Sequence, residues 1–260
     1  MQPIGFSTGD LYDFDVPIAE KVSFFIETGA TAIELLLGPF ESMVHFYMNE
    51  LNEELITKIT QFNFISIHAP DLNYAEAENS ETEVVEAITM LFEIVRRFNL
   101  AGKRVNGIVV HPYKTENITT FSKFNLPFLI ENMDKDKDGE NFKHPASFQC
   151  WPYFLLNSLG CVLDVQHAYE TIRDHKATNF LNRIKVFVDI MGTRLNHLHV
   201  SGQTSDSHHS LVRLSENREA IESVLAMRIP VPKILEGVFP EMSLDLACQE
   251  LNLVRRFENC

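Results

Sequence analysis

The sequence predicts a closed (β/α)8 barrel of parallel strands. Three observations predict it. Eight short apolar runs recur along 260 residues, most of them separated by helical patterns. Parallel neighbours need a crossover between them, which helices supply, and eight such units fill about 250 residues. Finally, six of the runs end in, or carry near their end, a His, Asp or Glu. That pattern suits a barrel whose strand C-termini converge on one face.

The runs and helices follow in order. Pro3–Ser7 is the first run, and Val16–Thr28 reads as a helix through its stripe Ile18, Val22, Phe25, Ile26, stopped by Gly29. Thr31–Leu37 is the second run. Asn52 caps a helix over Asn52–Phe62, and Phe64–Ala69 is the third run. Ser80 opens a capping box with Glu83, and Val84, Val85, Ile88, Leu91, Phe92 and Val95 carry that helix to Arg97. Val105–His111 is the fourth run. Pro112–Asn125 is the poorest segment, too short for a crossover helix with its loops. Pro127–Glu131 is the fifth run; Phe148–Leu159 reads as a helix despite Pro152. Gly160–Asp164 is the sixth run, Asn179–Met191 is helical or mixed, and Leu195–Ser201 is the seventh run. Arg218–Ala226 is a helix, Val231–Glu236 the eighth run, and Leu244–Phe257 an amphipathic closing helix. No internal repeat or linker divides the chain, so residues 1–260 are expected to form a single barrel domain.

Composition narrows the function. Hydrophobic residues make up 45% and charged residues 22%, as in ordinary globular chains. The formal net charge is −14, from 22 basic and 36 acidic residues. This disfavours a nucleic-acid partner held by clustered Lys and Arg, although bound divalent cations would offset several carboxylates. The four cysteines show no CxxC spacing, and Cys161 lies inside an apolar run as a core thiol. With no basic leader and no stretch of ~18 apolar residues, a cytoplasmic chain without membrane association is expected.

The chemistry collects at the strand ends. The third run carries His68, the fourth ends in His111 and the fifth in Glu131. The sixth ends in Asp164, with His167 three residues on; the seventh carries His199, followed by Asp206 and His208; the eighth ends in Glu236. Nine N/O ligands without thiolate suit zinc, manganese or iron, and they exceed what one ion needs. Two or three divalent ions sharing a bridging carboxylate is the economical expectation. His197 lies two residues before His199 and so shares its face of the strand. Glu34 alternates with Ala32 and Leu36 in the second run, where structural pairing competes with a place near the substrate. Asp134–Gly139 (DKDKDG) resembles the start of an EF-hand loop, but Pro145 stands where the bidentate Glu is required.

These segments resemble the xylose isomerase-like TIM barrel superfamily, and most of all its endonuclease IV (family 2 AP endonuclease) branch. The matching pieces are His-Ala-Pro at 68–70, Val-Val-His-Pro at 109–112, Ile-Glu-Asn at 130–132 and Leu-Asp-x-x-His-Ala at 163–168. His-Val-Ser-Gly at 199–202, Asp-Ser-His-His-Ser-Leu at 206–211 and Ile-Leu-Glu at 234–236 complete the set. The resemblance implies one ion at His68, His111 and Glu131, a second at Glu131, Asp164, His199 and Glu236, and a third at His167, Asp206 and His208. It implies that Glu131 and Glu236 are catalytic and position the attacking water. Glu34, His197 and Tyr74 are the expected substrate-side residues; Tyr74 lies near the position of the family's aromatic wedge, where Asp71 stands instead. The shortened segments 111–131 and 199–206 and the acidic charge point away from abasic DNA and toward a small phosphoester. The implied activity is a multinuclear metal phosphoester hydrolase. The alternative is a sugar or sugar-phosphate isomerase or epimerase using the four-residue set Glu131, Asp164, His199 and Glu236.

Overall fold

The computed structural model describes residues 1–70, 72, 81–111, 121–132, 159–171 and 177–258. Eight strands, β1 (Ile4–Ser7), β2 (Ala32–Leu36), β3 (Phe64–His68), β4 (Gly107–Val110), β5 (Phe128–Glu131), β6 (Gly160–Asp164), β7 (Leu195–Val200) and β8 (Lys233–Leu235), pair in sequence order. Each is parallel to both neighbours, and β8 returns to β1 to close the barrel. The expected fold class is therefore the observed one.

Helices surround the barrel: α1 (Ile18–Glu27), α2 (Phe40–His45), α3 (Glu53–Ile59), α4 (Glu81–Leu100), α5 (Val165–Thr171), α6 (Ala177–Met191), α7 (Arg218–Leu225) and α8 (Leu244–Glu258). Asn52 caps α3 by accepting from the Leu55 N–H at 2.9 Å, as its sequence position predicts. The mixed reading of Asn179–Met191 resolves as helix α6. Two helices were not expected. One is α2, which runs on into a π-helical turn at Phe46–Glu50. The other is α5, which starts directly after Asp164 and carries His167 on its first turn. The expected helix over Phe148–Leu159, Ser80 of the capping box and the Asp134–Gly139 loop lie outside the described residues, except for Leu159.

Strand alternation sorts the side chains into two layers. Outward residues such as Ile33, Ile65, Ile108, Ile130, Cys161 and Leu163 join the helices in the main core, where Phe6 stacks on Phe25 at 4.7 Å. The alternate, inward residues fill the barrel. Ala32, Phe64 and Ile234 form one inner cluster, and Val109, Leu129 and Val162 another. Gly107 and Gly160 make room for Leu129: a Cβ on either would lie 2.1 or 2.5 Å from its methyl carbons. Above this apolar floor the inward positions turn polar, with Ser7, Glu34, Ser66, His68, Glu131, Asp164, His197 and His199 all buried and the half-buried Leu36 the apolar exception. The fold thus collects on one face the residues that the sequence scatters over 200 positions.

Candidate metal centre

Glu131, the last residue of β5, is the hub. Its Oε2 lies 3.1 Å from His111 Nε2 and 3.4 Å from His68 Nε2. Its Oε1 lies 2.9 Å from His199 Nδ1. One carboxylate therefore faces two separate sets of imidazole nitrogens. His68, at the end of β3, donates Nδ1–H to the Ala69 carbonyl at 3.2 Å, which turns its Nε2 lone pair toward Glu131. The His68 and His111 rings stand nearly perpendicular, 4.6 Å apart.

The second set shares Glu131. His199 Nδ1 also lies 3.0 Å from Glu236 Oε2, and Asp164 joins them within ligand-sharing distance. Asn132, just after β5, clamps the end of β6: its amide donates to the Asp164 carbonyl at 2.8 Å, and its Oδ1 accepts the Asp164 N–H at 2.7 Å. Asp164 Oδ1 accepts the His167 N–H at 2.7 Å, capping α5. Asp164 Oδ2 is buried without a hydrogen-bond partner. An ionised oxygen in that state is costly unless a cation meets it.

The third set differs from the expected one. His167, Asp206 and His208 are not brought together. Gly202 and Ser210 form an antiparallel bridge that folds residues 203–209 into a tight hairpin. Asp206 sits exposed at its turn, taking a hydrogen bond from the Ser205 hydroxyl at 3.2 Å. His208 turns outward, its side chain 76% exposed, and pairs with Glu170 at 2.7 Å. His209 turns inward instead, and its Nε2 lies 3.3 Å from His167 Nε2. Its Nδ1 contacts Ser201 Oγ at 3.0 Å, and His167 donates Nδ1–H to the Asn132 carbonyl at 2.9 Å. With Ser201 accepting, both Nε2 atoms present lone pairs to one point, next to Asp164. Two adjacent histidines follow the turn, and sequence alone does not say which one faces the barrel.

Glu34 and His197 are not at the mouth. Both are fully buried beneath His199, so a direct substrate contact, the role expected for them, is corrected to a supporting place. Glu34 Oε2 accepts from Ser66 Oγ at 2.8 Å and lies 3.3 Å from His199 Nε2. Tyr74 lies outside the described residues. Asp10, which sequence reasoning passed over, is buried in the turn after β1 with one carboxylate oxygen unpartnered. Asp10 follows the first run without any histidine near it, so no pattern in the chain marks it.

The electrostatics fit cations. Burial opposes the charge on Glu131 and Glu34, but the positive charge of His199, with the other histidines around them, holds both well below the usual carboxylate range. Burial likewise opposes the His199 imidazolium, yet Glu236, Glu34 and Glu131 together hold it well above the ordinary histidine value. Burial lifts the Glu236 carboxyl to about 7, partly offset by His199 and reinforced by Glu131 and Glu34. Burial, then the charges of Glu236, Glu34 and Glu250, push Asp10 well above its ordinary value. Carboxyl groups outnumber the cationic side chains that face them, and divalent ions are the ordinary remedy for such an imbalance. Imidazole and carboxylate donors without thiolate suit zinc, manganese or iron. A cavity of about 740 Å³ opens at the ends of β1 and β2, lined by Tyr12, Asp13, Asp15, Lys21, Glu41 and His45 among others, and none of its lining residues belongs to the ligand sets.

No protein-family model matches the chain, and no curated protein matches it either. Solved structures do. Endonuclease IV from Thermus thermophilus superposes with a TM-score of 0.66 at 18% identity, covering 98% of both chains. D-psicose 3-epimerase from Clostridium cellulolyticum gives 0.65 at 12% identity over 100% of both chains. The probable 3-DHS dehydratase of Bacillus anthracis gives 0.66 at 14% identity, over 98% of this chain and 99% of that one. At these identities the likeness is one of fold, and it spans both hydrolase and epimerase names. The chain shares the closed (β/α)8 barrel fold of these structures.

Proposed function

We propose that this chain is a multinuclear, divalent-metal-dependent phosphoester hydrolase acting on a small, non-DNA substrate. The observation that carries the reading is the arrangement of Glu131 and Asp164. Each is shared between two ligand sets, and the two outer sets add the histidine pairs His68–His111 and His167–His209. Two or three ions fit these donors, zinc best, with manganese or iron as alternatives. Such ions, when bound, place positive charge opposite a phosphoryl group and acidify a water molecule.

The chain's own residues do the rest. Glu131 and Asp164 hold neighbouring ligand sets at fixed spacing. Glu236 is the proton acceptor we favour, because its side chain is 14% exposed whereas Glu131 and Asp164 are sealed. The net charge of −14 works against a polyanionic duplex. The likeness to endonuclease IV supports phosphoester chemistry without extending to its substrate. Among the described residues no helix is long and apolar enough to cross a membrane. Buried Cys161 and the lack of paired cysteine motifs fit a cytoplasmic setting.

A second reading has one observation in its favour. Glu131, Asp164, His199 and Glu236 form a complete four-donor set by themselves. One ion there, with carboxylates moving a proton beside a carbonyl, would serve a sugar epimerase or isomerase. Metal analysis of the purified protein, paired with assays on bis-p-nitrophenyl phosphate and on free ketoses, separates the two. Two or three ions and phosphoester cleavage are expected. One ion per chain together with ketose epimerisation overturns the hydrolase reading.

A further inference from the structure

The two inward histidines of β7 have different tasks. We propose that Asn196 and His197 are positioning residues that fix His199 as an Nδ1 ligand of the central ion set. This rests on the metal-dependent reading above.

The argument starts at an irregularity in β7. Cys161 of β6 aligns with Leu195, and the next residue, Val162, aligns with His197, so Asn196 is an extra, bulged residue. Bulges re-aim side chains, and this one turns Asn196 toward the ring of His197. The Asn196 amide nitrogen donates to the Asn106 carbonyl at 3.3 Å. Its Oδ1 therefore faces His197 Nδ1, 2.9 Å away, and an oxygen in that place accepts. His197 Nδ1 must carry the hydrogen. As a neutral ring, His197 then presents a lone pair at Nε2, which lies 3.1 Å from His199 Nε2. Only one proton can sit between those nitrogens, and it belongs to His199.

The consequence passes through the His199 ring. With Nε2–H directed to His197, and Glu34 Oε2 at 3.3 Å as a second acceptor, Nδ1 is the nitrogen whose lone pair a metal ion would take. That nitrogen lies 2.9 Å from Glu131 Oε1 and 3.0 Å from Glu236 Oε2. With Nε2–H committed to the interior, Nδ1 is the atom left to meet a metal ion between those two carboxylates, so the relay pre-sets the ring for one. Phe64, edge-on to His197 at 5.3 Å, keeps the supporting ring in plane. Outer partners that fix a ligand's tautomer commonly change metal affinity by about 10- to 100-fold when removed.

Nuclear magnetic resonance on ¹⁵N-histidine protein loaded with ¹¹³Cd²⁺ tests this directly. Cadmium coupling is expected at His199 Nδ1, with a proton on its Nε2, and His197 is expected as an uncoupled Nδ1–H tautomer. Coupling at His199 Nε2, or cadmium on His197, overturns the relay. A chain that binds no divalent ion overturns the metal-dependent reading itself, and the relay with it. As a second arm, His197→Phe is expected to weaken cadmium binding about 10- to 100-fold in a chelator competition, while His197→Gln, which restores an acceptor near the Nε2 position, recovers most of it. A folded His197→Phe with wild-type affinity overturns the relay while leaving the metal reading standing. If His197→Phe does not fold, the tautomers of the wild-type protein decide.

Discussion

His167 and His209 point their Nε2 atoms at one another across 3.3 Å, next to the buried, unpartnered Oδ2 of Asp164. His208, one residue earlier, points the other way and pairs from the solvent side with the buried Glu170. The two neighbours should respond differently to substitution. His209→Ala is expected to lose one ion per chain and to lower phosphoester turnover by about 10- to 100-fold. His208→Ala is expected to keep the metal content, because it removes only a half-solvated pair of small value. Metal analysis by plasma mass spectrometry on both variants checks this; ion loss in His208→Ala alone would restore the assignment suggested by the Asp-x-His spacing.

Glu131 supplies a different oxygen to each of two histidine sets. Glu131→Gln keeps the shape but replaces one oxygen by an NH2 group, which presents hydrogens where a cation should stand. The variant is expected to fold, since the site lies above the apolar floor of the barrel. It should bind at least one ion fewer and lose about 100-fold or more of its turnover. Circular dichroism, metal content and hydrolysis rate on the same preparation test all three statements. Full metal loading would show that Glu131 does not bridge.

The barrel was legible in the sequence for a simple reason. Strands buried on both faces read as short apolar runs, and a polar residue at the end of such a run has nowhere to go but the mouth. His68, Glu131, Asp164 and His199 all obey that rule. The choice between His208 and His209 was not legible, because it depends on the Gly202–Ser210 bridge and the turn it closes, and neither residue has a strand's alternation to fix its side. Asp10 and Asn196 were missed for similar reasons. Asp10 acts from a turn, and Asn196 from a bulge that breaks the period of two on which the reading of β7 relied.

Glu250, on α8, reaches under the loop that follows β7. Its carboxylate accepts the Val212 N–H at 2.6 Å and the Arg213 N–H at 3.3 Å. Val212 and Glu250 are buried, so deleting the acceptor strands a buried donor. Glu250→Leu is expected to cost about 1–3 kcal/mol of stability. Glu250→Gln, which keeps one acceptor oxygen, should cost less. Because His209 lies three residues before Val212, the Leu variant should also weaken binding of the outer ion. Urea unfolding and metal titration measure the two effects; an unchanged unfolding midpoint in Glu250→Leu would rule out this bracing role.

Cys161 lies in β6 with its thiol turned into the helix-facing core, fully buried. Burial pushes its pKa from 9.0 up to about 12, with Arg194 working weakly against the shift. A thiol freed by unfolding ionises near ~8.5. Above that pH the native chain keeps a proton that the unfolded chain has lost. The stability tied to this proton is therefore fully present below ~8.5 and falls as pH rises toward 12, by at most about 1.4 kcal/mol per pH unit. Thermal unfolding between pH 8.5 and 10.5 should accordingly decline less steeply in Cys161→Ala than in the wild type. Thiol labelling at pH 9 offers an independent check. Cys248, half-buried, should react in the native protein, whereas Cys161 should react only after denaturant is added. Rapid native labelling of Cys161 would mean that β6, and with it the Asp164 end of the metal centre, opens far more readily than its packing implies.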